Sequence, residues 1–249
     1  MGANVGVGKR ESKSRERRME SARRFCRRLF QRVYRPYALW QMTKPETRLR
    51  GRTLRTDPEV FHPVHFLSTP VFLDYVAMLD VAGKRLLDMG TGSGAVGLFS
   101  ALRGARVTAC DVNRSAVRLA GENARLNGVG MDVVWSNLFA AIGGQTFDLI
   151  CFNLPFWAGD ARTVFEAALY GGKNFELVRA FADGCREALA PGGSVVVIFS
   201  EDSGPERIAS LFTDAGFVPA DERTAFKFFE RFHLMRLERP SSSPAEKRG

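Results

Sequence analysis

The chain has 249 residues, 45% of them apolar, enough for one sizeable globular core with appendages. No stretch approaches the roughly 18 consecutive apolar residues of a membrane span, the N-terminus lacks the apolar region of a signal peptide, and the scattered cysteines Cys26, Cys110, Cys151 and Cys185 read as reduced thiols of a cytoplasmic protein. The net charge of +9 is uneven: residues 1–55 carry 17 Lys/Arg against 4 Asp/Glu, so the basic character belongs to the N-terminal segment and points to an anionic partner.

Residues 1–11 read as disordered. Over 12–35 a helical period gathers Met19, Ala22, Cys26, Leu29, Phe30 and Val33 on one side and Arg24, Arg27, Arg28, Arg32 and Arg35 on the other, a basic amphipathic helix that Pro36 stops. Residues 41–58 read as a polar, basic linker. The segment 1–55 is thus an extension, 56–239 the main domain, and 240–249 a Ser/Pro-rich tail.

Strands and helices then alternate. A helix is expected over 68–80 with Ser68 as its N-cap and Pro70 in its first turn. A strand over 85–89 leads into a glycine loop, a helix over 94–103 follows, and a second strand over 106–110 ends at Asp111. Asn113 caps a helix to Leu126 that Asn127-Gly128 closes. Strands follow over 132–135 and 147–152. A helix over 174–189 stops at Ala190-Pro191-Gly192-Gly193, ahead of a fifth strand over 194–199. A helix over 205–215 and strands over 217–219 and 226–237 complete the pattern. Short apolar strands alternating with helices predict a Rossmann-like, doubly wound α/β sheet of seven strands, buried on both faces. Such sheets bind ligands outside the carboxyl ends of their strands, where Asp88, Asp111, Asn137 and Asn153 all fall.

Two motifs carry the chemistry. Asp88-Met89-Gly90-Thr91-Gly92-Ser93-Gly94 lies between a strand and a helix, where glycines permit a tight turn and the close approach of a ligand. Gly92-Ser93-Gly94-Ala95-Val96-Gly97 also satisfies the dinucleotide spacing GxGxxG, so an NAD-dependent oxidoreductase is an alternative. Asp88 argues for S-adenosylmethionine instead: its carboxylate suits a methionine ammonium and repels a pyrophosphate. Asp111 can accept two ribose hydroxyls, and Asn137 can bond an adenine edge. The second motif is Asn153-Leu154-Pro155-Phe156. An Asn oxygen and a main-chain carbonyl near Pro155 can accept both hydrogens of one planar amino group and aim its lone pair, while Phe156 and Trp157 stack on the acceptor; the aromatic face also suits a sulfonium.

Through these two motifs and Asp111 the chain resembles the class I S-adenosylmethionine-dependent methyltransferases, in particular the amino-methylating branch with Asn-Pro-Pro-Tyr-type loops. That branch includes release-factor glutamine methyltransferases and adenine-N6 methyltransferases of RNA and DNA. Tyr170-Gly171-Gly172 and Leu189-Ala190-Pro191-Gly192-Gly193 are similar to its "small" methyltransferase domain, over about residues 60–238. The resemblance implies that Asp88, Gly90, Thr91, Gly92 and Gly94 meet the methionine part, Asp111 the ribose, and Asn153 with Pro155 the acceptor amine. Leu154 stands in place of the commoner first Pro, Phe156 in place of Tyr, and Asn137 where Asp is frequent.

The acceptor is then an exocyclic amino or amide nitrogen. RNA adenine is favoured, with RNA or a ribonucleoprotein held through residues 9–40, where Tyr34, Tyr37 and Trp40 can stack on bases. Residues 1–55 do not resemble the helical substrate domain of the release-factor enzymes, yet a protein glutamine amide and a small-molecule amine remain alternatives, as does a noncatalytic RNA-binding module. The same basic helix also has the character of a membrane-surface helix, or simply docks on the catalytic body. His62 and His65 form HxxH without further ligands, so no metal site is expected, and the stretch reads as a loop over the cofactor that packs Phe61 and Phe66.

Overall fold

The computed structural model describes residues 40–41, 43–228 and 230–240. The basic helix read over 12–35, Cys26, Tyr34, Tyr37 and the tail beyond residue 240 lie outside the described residues.

The core is a seven-stranded sheet in the order β5 (Asp132–Trp135), β4 (Arg106–Asp111), β3 (Arg85–Met89), β6 (Phe147–Asn153), β7 (Leu189–Ser200), β9 (Glu230–Glu238), β8 (Val218–Lys227). The first five are mutually parallel, while β9 runs antiparallel between β7 and β8. Alternate residues feed two cores, because side chains on a strand alternate faces. Leu87, Ile150, Val195 and Val197 pack with Phe181 and Phe212 of α4 (Glu176–Ala188) and α5 (Pro205–Asp214). Leu86, Leu149, Val196 and Ile198 pack with Phe72 of α1 (Ser68–Val76) and Val96 of α2 (Ala95–Ala101). Helix α3 (Arg114–Leu126) lies beside β4 and β5. Both faces are covered, and for that reason the central strands read as near-continuous apolar runs.

The chain starts in the middle of the sheet at β3, builds outward through β4 and β5, then returns to the other side of β3 with β6. The order reverses at β3, and a crevice opens there above the carboxyl ends of the strands. Among the described residues no helix is long and apolar enough to cross a membrane.

Several elements differ from expectation. Residues 46–55, read as linker, form an antiparallel hairpin of β1 (Glu46–Leu49) and β2 (Arg52–Arg55). Its two apolar residues, Leu49 and Leu54, are buried in the core, and its turn sets both Arg50 and Gly51 at positive φ. Helix α1 ends at Val76 and not near residue 80. Ser68 does not cap it: Leu67 precedes the helix in a helical conformation and no side chain bonds the first turn. The stretch 226–237 is not one strand. A turn at Phe228, with φ 48, ends β8 and begins β9. Strand β8 is mostly exposed at the sheet edge, so it lacks the apolar run that marks the others.

Candidate active site at the carboxyl edge of the sheet

The glycine loop leaves β3 at Met89. Gly90 has φ 61, and a Cβ there would lie 2.6 Å from Cε2 of Phe152. The loop therefore needs glycine twice over, for its left-handed backbone and for the neighbouring ring. Gly94, with φ 82, is different: its missing Cβ lets α2 approach α3, since a Cβ would meet Cα of Ala120 at 3.0 Å. Gly94 is not among the residues lining the cavity described below.

Asp88 closes the loop from inside. The Thr91 hydroxyl donates to its Oδ2 at 2.6 Å and the Gly97 amide donates to the same oxygen at 2.9 Å. Burial pushes the Asp88 carboxyl up to about 6; the two hydrogen bonds oppose the shift, and the neighbouring Asp111 adds to it. Asp111, at the end of β4, is raised by burial as well. Its Oδ2 accepts from the Gly92 amide and its Oδ1 from the Asn113 amide, both at 2.9 Å. A carboxylate has about four acceptor directions, so the backbone amides around Asp111 do not use them all and acceptor capacity remains for a ligand.

A sign follows for stability. Since the folded Asp88 carboxyl is raised above its ordinary 3.8 to about 6, its contribution is fully present below pH 4 and is lost as pH rises through 6; the two-unit shift corresponds to about 3 kcal/mol. Asp88→Asn is therefore expected to raise the melting temperature of the ligand-free protein at pH 7.5 and to leave it unchanged near pH 4. Thermal unfolding across pH 4–8 checks this; equal pH profiles for the two proteins would refute it.

Opposite the loop, residues 59–61 form a wall. Asn113 Nδ2 donates to the Glu59 carbonyl at 2.9 Å, and the Ser115 hydroxyl donates to the Glu59 carboxylate at 2.8 Å. Val60 packs on Ala116 and Leu119 of α3. The wall continues into a turn centred on His62, whose Nδ1 accepts from the Val64 and His65 amides at 3.2 Å. Burial and the adjacent His65 lower His62 to about 4, so its ring is neutral. Phe61 stacks on Phe66 with ring centroids 3.7 Å apart, and Phe66 in turn leans on Phe165. Among the described residues no cluster of three His, Cys, Asp or Glu is gathered that could hold a metal ion.

Strand β6 delivers the second motif. Leu154 is buried, and its amide donates to the Ile198 carbonyl at 3.0 Å, a bond that a proline there could not make. Asn153 Nδ2 donates to the Ser68 hydroxyl at 2.9 Å, while Asn153 Oδ1 is buried without a hydrogen-bond partner among the described residues. The Phe156 carbonyl accepts from Ser203, and its ring lies 6.0 Å from that of Phe232. From Trp157 the chain folds back on itself. Trp157 and Leu169 pair through the Trp157 amide, and Gly159 and Gly172 exchange two bonds at 3.0 Å, which swings Val164, Phe165 and Leu169 over the motif.

These pieces surround one open cavity, the concave kind of surface in which small ligands bind. Asp88, Gly90, Thr91, Gly92, Asp111 and Asn137 line one part, and Asn153, Pro155 and Phe156 the other. Among the described residues its charged lining is Glu59, Asp88 and Asp111, with no Lys or Arg. Such a wall favours a cation and disfavours phosphate. Sequence reasoning missed Ser68 and Thr69 as parts of this site. Ser68 stands 85 residues from Asn153, so no local spacing could have signalled it.

The sequence model of the methyltransferase small domain matches residues 52–226. A protein of Methanocaldococcus jannaschii described as a putative protein N5-glutamine methyltransferase is 30% identical over 175 residues, covering 68% of this chain and 86% of the relative. The ribosomal RNA small subunit methyltransferase C of Chromohalobacter salexigens is 31% identical over 188 residues, covering 73% of this chain and 52% of the relative. The chain spans about half the length of the other curated relatives it matches. Among solved structures, a T. thermophilus 16S rRNA N2 methyltransferase in complex with AdoMet and guanosine superposes with a TM-score of 0.61 at 20% identity, over 78% of this chain and 49% of that one, a likeness of fold.

Proposed function

The chain belongs to the methyltransferase small-domain family, and on that premise we propose that it methylates an exocyclic amino or amide nitrogen with S-adenosylmethionine as donor. The single observation that carries the reading is the buried, unpartnered Oδ1 of Asn153 beside the cavity. A buried acceptor without a donor costs roughly 1–3 kcal/mol, and an amino group bound against it recovers that cost.

When bound, the donor supplies a methyl carbon activated by the attached sulfonium. The residues of this chain do the rest. Asp88 and the glycine turn hold the methionine part, Asp111 the ribose and Asn137 the adenine edge. The acidic lining suits the donor's two positive charges. Asn153 Oδ1 and a main-chain carbonyl near Pro155 accept the two N–H bonds of the acceptor, which turns the nitrogen lone pair toward the methyl carbon. Phe156 stacks on the acceptor plane. No strong base is required, because the nitrogen sheds its proton to water after attack has made it cationic.

An RNA amino group such as that of adenine is the acceptor we favour, on the strength of the 17 Lys/Arg against 4 Asp/Glu in residues 1–55. RNA then meets residues 9–40, in a protein of the cytoplasm. A protein glutamine amide is the second reading, favoured by the 30% identity to the M. jannaschii relative named for that activity. Tritiated S-adenosylmethionine incubated with the protein and a cell extract, followed by separation into RNA, protein and metabolites, tests both. Label in RNA that deletion of residues 1–40 and high salt both remove is the expected result. Label in protein alone gives the glutamine reading, and absence of label together with absence of donor binding by calorimetry overturns the proposal.

A further inference from the structure

A carboxamide has two ends of similar size and opposite polarity, and rotation about its last bond exchanges them at little steric cost. With the oxygen toward the cavity, Asn153 accepts from an amino group. With the NH2 toward the cavity, it meets the acceptor donor to donor and holds it off. Something must select the first arrangement before the acceptor arrives.

We propose that Ser68 is the positioning residue that makes this selection, an inference that rests on the role given to Asn153 above. Its hydroxyl takes the Nδ2–H of Asn153 at 2.9 Å, which commits the nitrogen end and leaves Oδ1, buried and unpartnered among the described residues, as the end open to a donor. Ser68 is 1% exposed, so water does not stand in for it. The helix does not claim this hydroxyl, since α1 starts without a side-chain cap. Asn153 itself ends a strand whose backbone is held at Leu154 by the sheet, and the bond to Ser68 is what holds its carboxamide.

The placement of Ser68 ties two halves of the site together. Residues 59–68 run from the wall beside Asp111, through the His62 turn, to the first residue of α1. The Phe66 amide bonds the His62 carbonyl at 3.3 Å, and Phe61 stacks on Phe66 within the same arm. One continuous stretch therefore supplies both the wall of the donor side and the hydroxyl that orients the acceptor-binding amide.

The test uses the full chain, tritiated S-adenosylmethionine, and total RNA and total protein of a cell extract as acceptors. Ser68→Ala is expected to lower the initial rate at saturating donor roughly tenfold, as for loss of one buried hydrogen bond, with donor affinity by calorimetry within twofold of the parent. Ser68→Thr keeps the hydroxyl and is expected to recover most of the rate. In an Asn153→Ala background, Ser68→Ala has no amide left to orient and is expected to cost nothing further, so the two losses do not add. Ser68→Ala at full rate, or with the same loss in both backgrounds, overturns the inference. Asn153→Ala at full rate overturns the reading beneath it, a separate result. If thermal unfolding finds Ser68→Ala misfolded, Ser68→Cys, with sulfur as a weak acceptor of similar size, carries the same comparison.

Discussion

Asn153→Ala is expected to cut the methyl-transfer rate by about 10²–10³-fold, the loss typical when one preorganised polar group at a reaction centre is removed. Donor affinity should hardly change. Nothing in the glycine loop depends on Asn153: the loop is held by Asp88 through Thr91 and Gly97, and by Asp111 through Gly92. Stability should hardly change either. The substitution breaks the bond to Ser68 but also removes a buried oxygen that has no partner among the described residues, and these effects oppose each other at roughly 1–3 kcal/mol each. The signature is a protein that melts at the same temperature, titrates the donor in calorimetry with the same constant, and transfers almost nothing. Asn153→Asp, which keeps an acceptor oxygen at that position, should lose less. A wild-type rate for Asn153→Ala would remove this residue from the chemistry.

Gly90→Ala should damage both the fold and the donor site. An alanine at φ 61 is strained by ~1–2 kcal/mol. Its Cβ would also sit 2.6 Å from Cε2 of Phe152, and overpacking of a filled core costs a further ~1–3 kcal/mol. The ring cannot withdraw cheaply, because Phe152 is paired on both sides in the sheet and packs edge-on against Phe181 at 4.8 Å. Against a total of ~5–15 kcal/mol for a domain, a combined ~2–5 kcal/mol is a large fraction, and the turn that survives no longer has its shape. Urea unfolding should shift to a markedly lower midpoint and donor binding should vanish. Gly128→Ala and Gly144→Ala are the controls: both glycines have positive φ but open space around them, so only the strain remains. Adding Phe152→Leu to Gly90→Ala should recover part of the midpoint. An unchanged midpoint in Gly90→Ala alone would refute the argument.

The strands that build the site were legible because they are short apolar runs with a polar residue at the carboxyl end. The strands read at 85–89 and 132–135 end where the structure ends β3 and β5, and Asn113 accepts from the Ser115 amide as an N-cap should. Features that depend on distant residues were not legible. Ser68 carries a strong local capping signal, but its hydroxyl answers to an amide 85 positions away. The β1–β2 hairpin hides behind four arginines, with only Leu49 and Leu54 to mark its inner face, and its turn is Arg-Gly, not the Asn-Gly that announces such hairpins. The dinucleotide spacing from Gly92 to Gly97 has a packing cause at its far end. Gly97 sits inside α2, where a Cβ would meet Met131 at 2.7 Å and Asp88 Oδ2 at 3.2 Å. Leu154 shows the reverse case: a departure from the commoner proline that gains a hydrogen bond to β7.

One buried amide decides where this domain can be trimmed. Asn123 on α3 is fully shielded from solvent; its oxygen takes the Arg55 amide at 2.7 Å, and its nitrogen serves the Arg55 carbonyl and, at 2.8 Å, the Ser93 carbonyl of the glycine loop. A chain cut at residue 56 would discard two of these three partners and strip the cover of Leu54 from the core, slackening the very turn meant to grip the donor. Shortened versions made for crystallisation or spectroscopy should therefore begin ahead of Glu46, even though the arginines there look expendable.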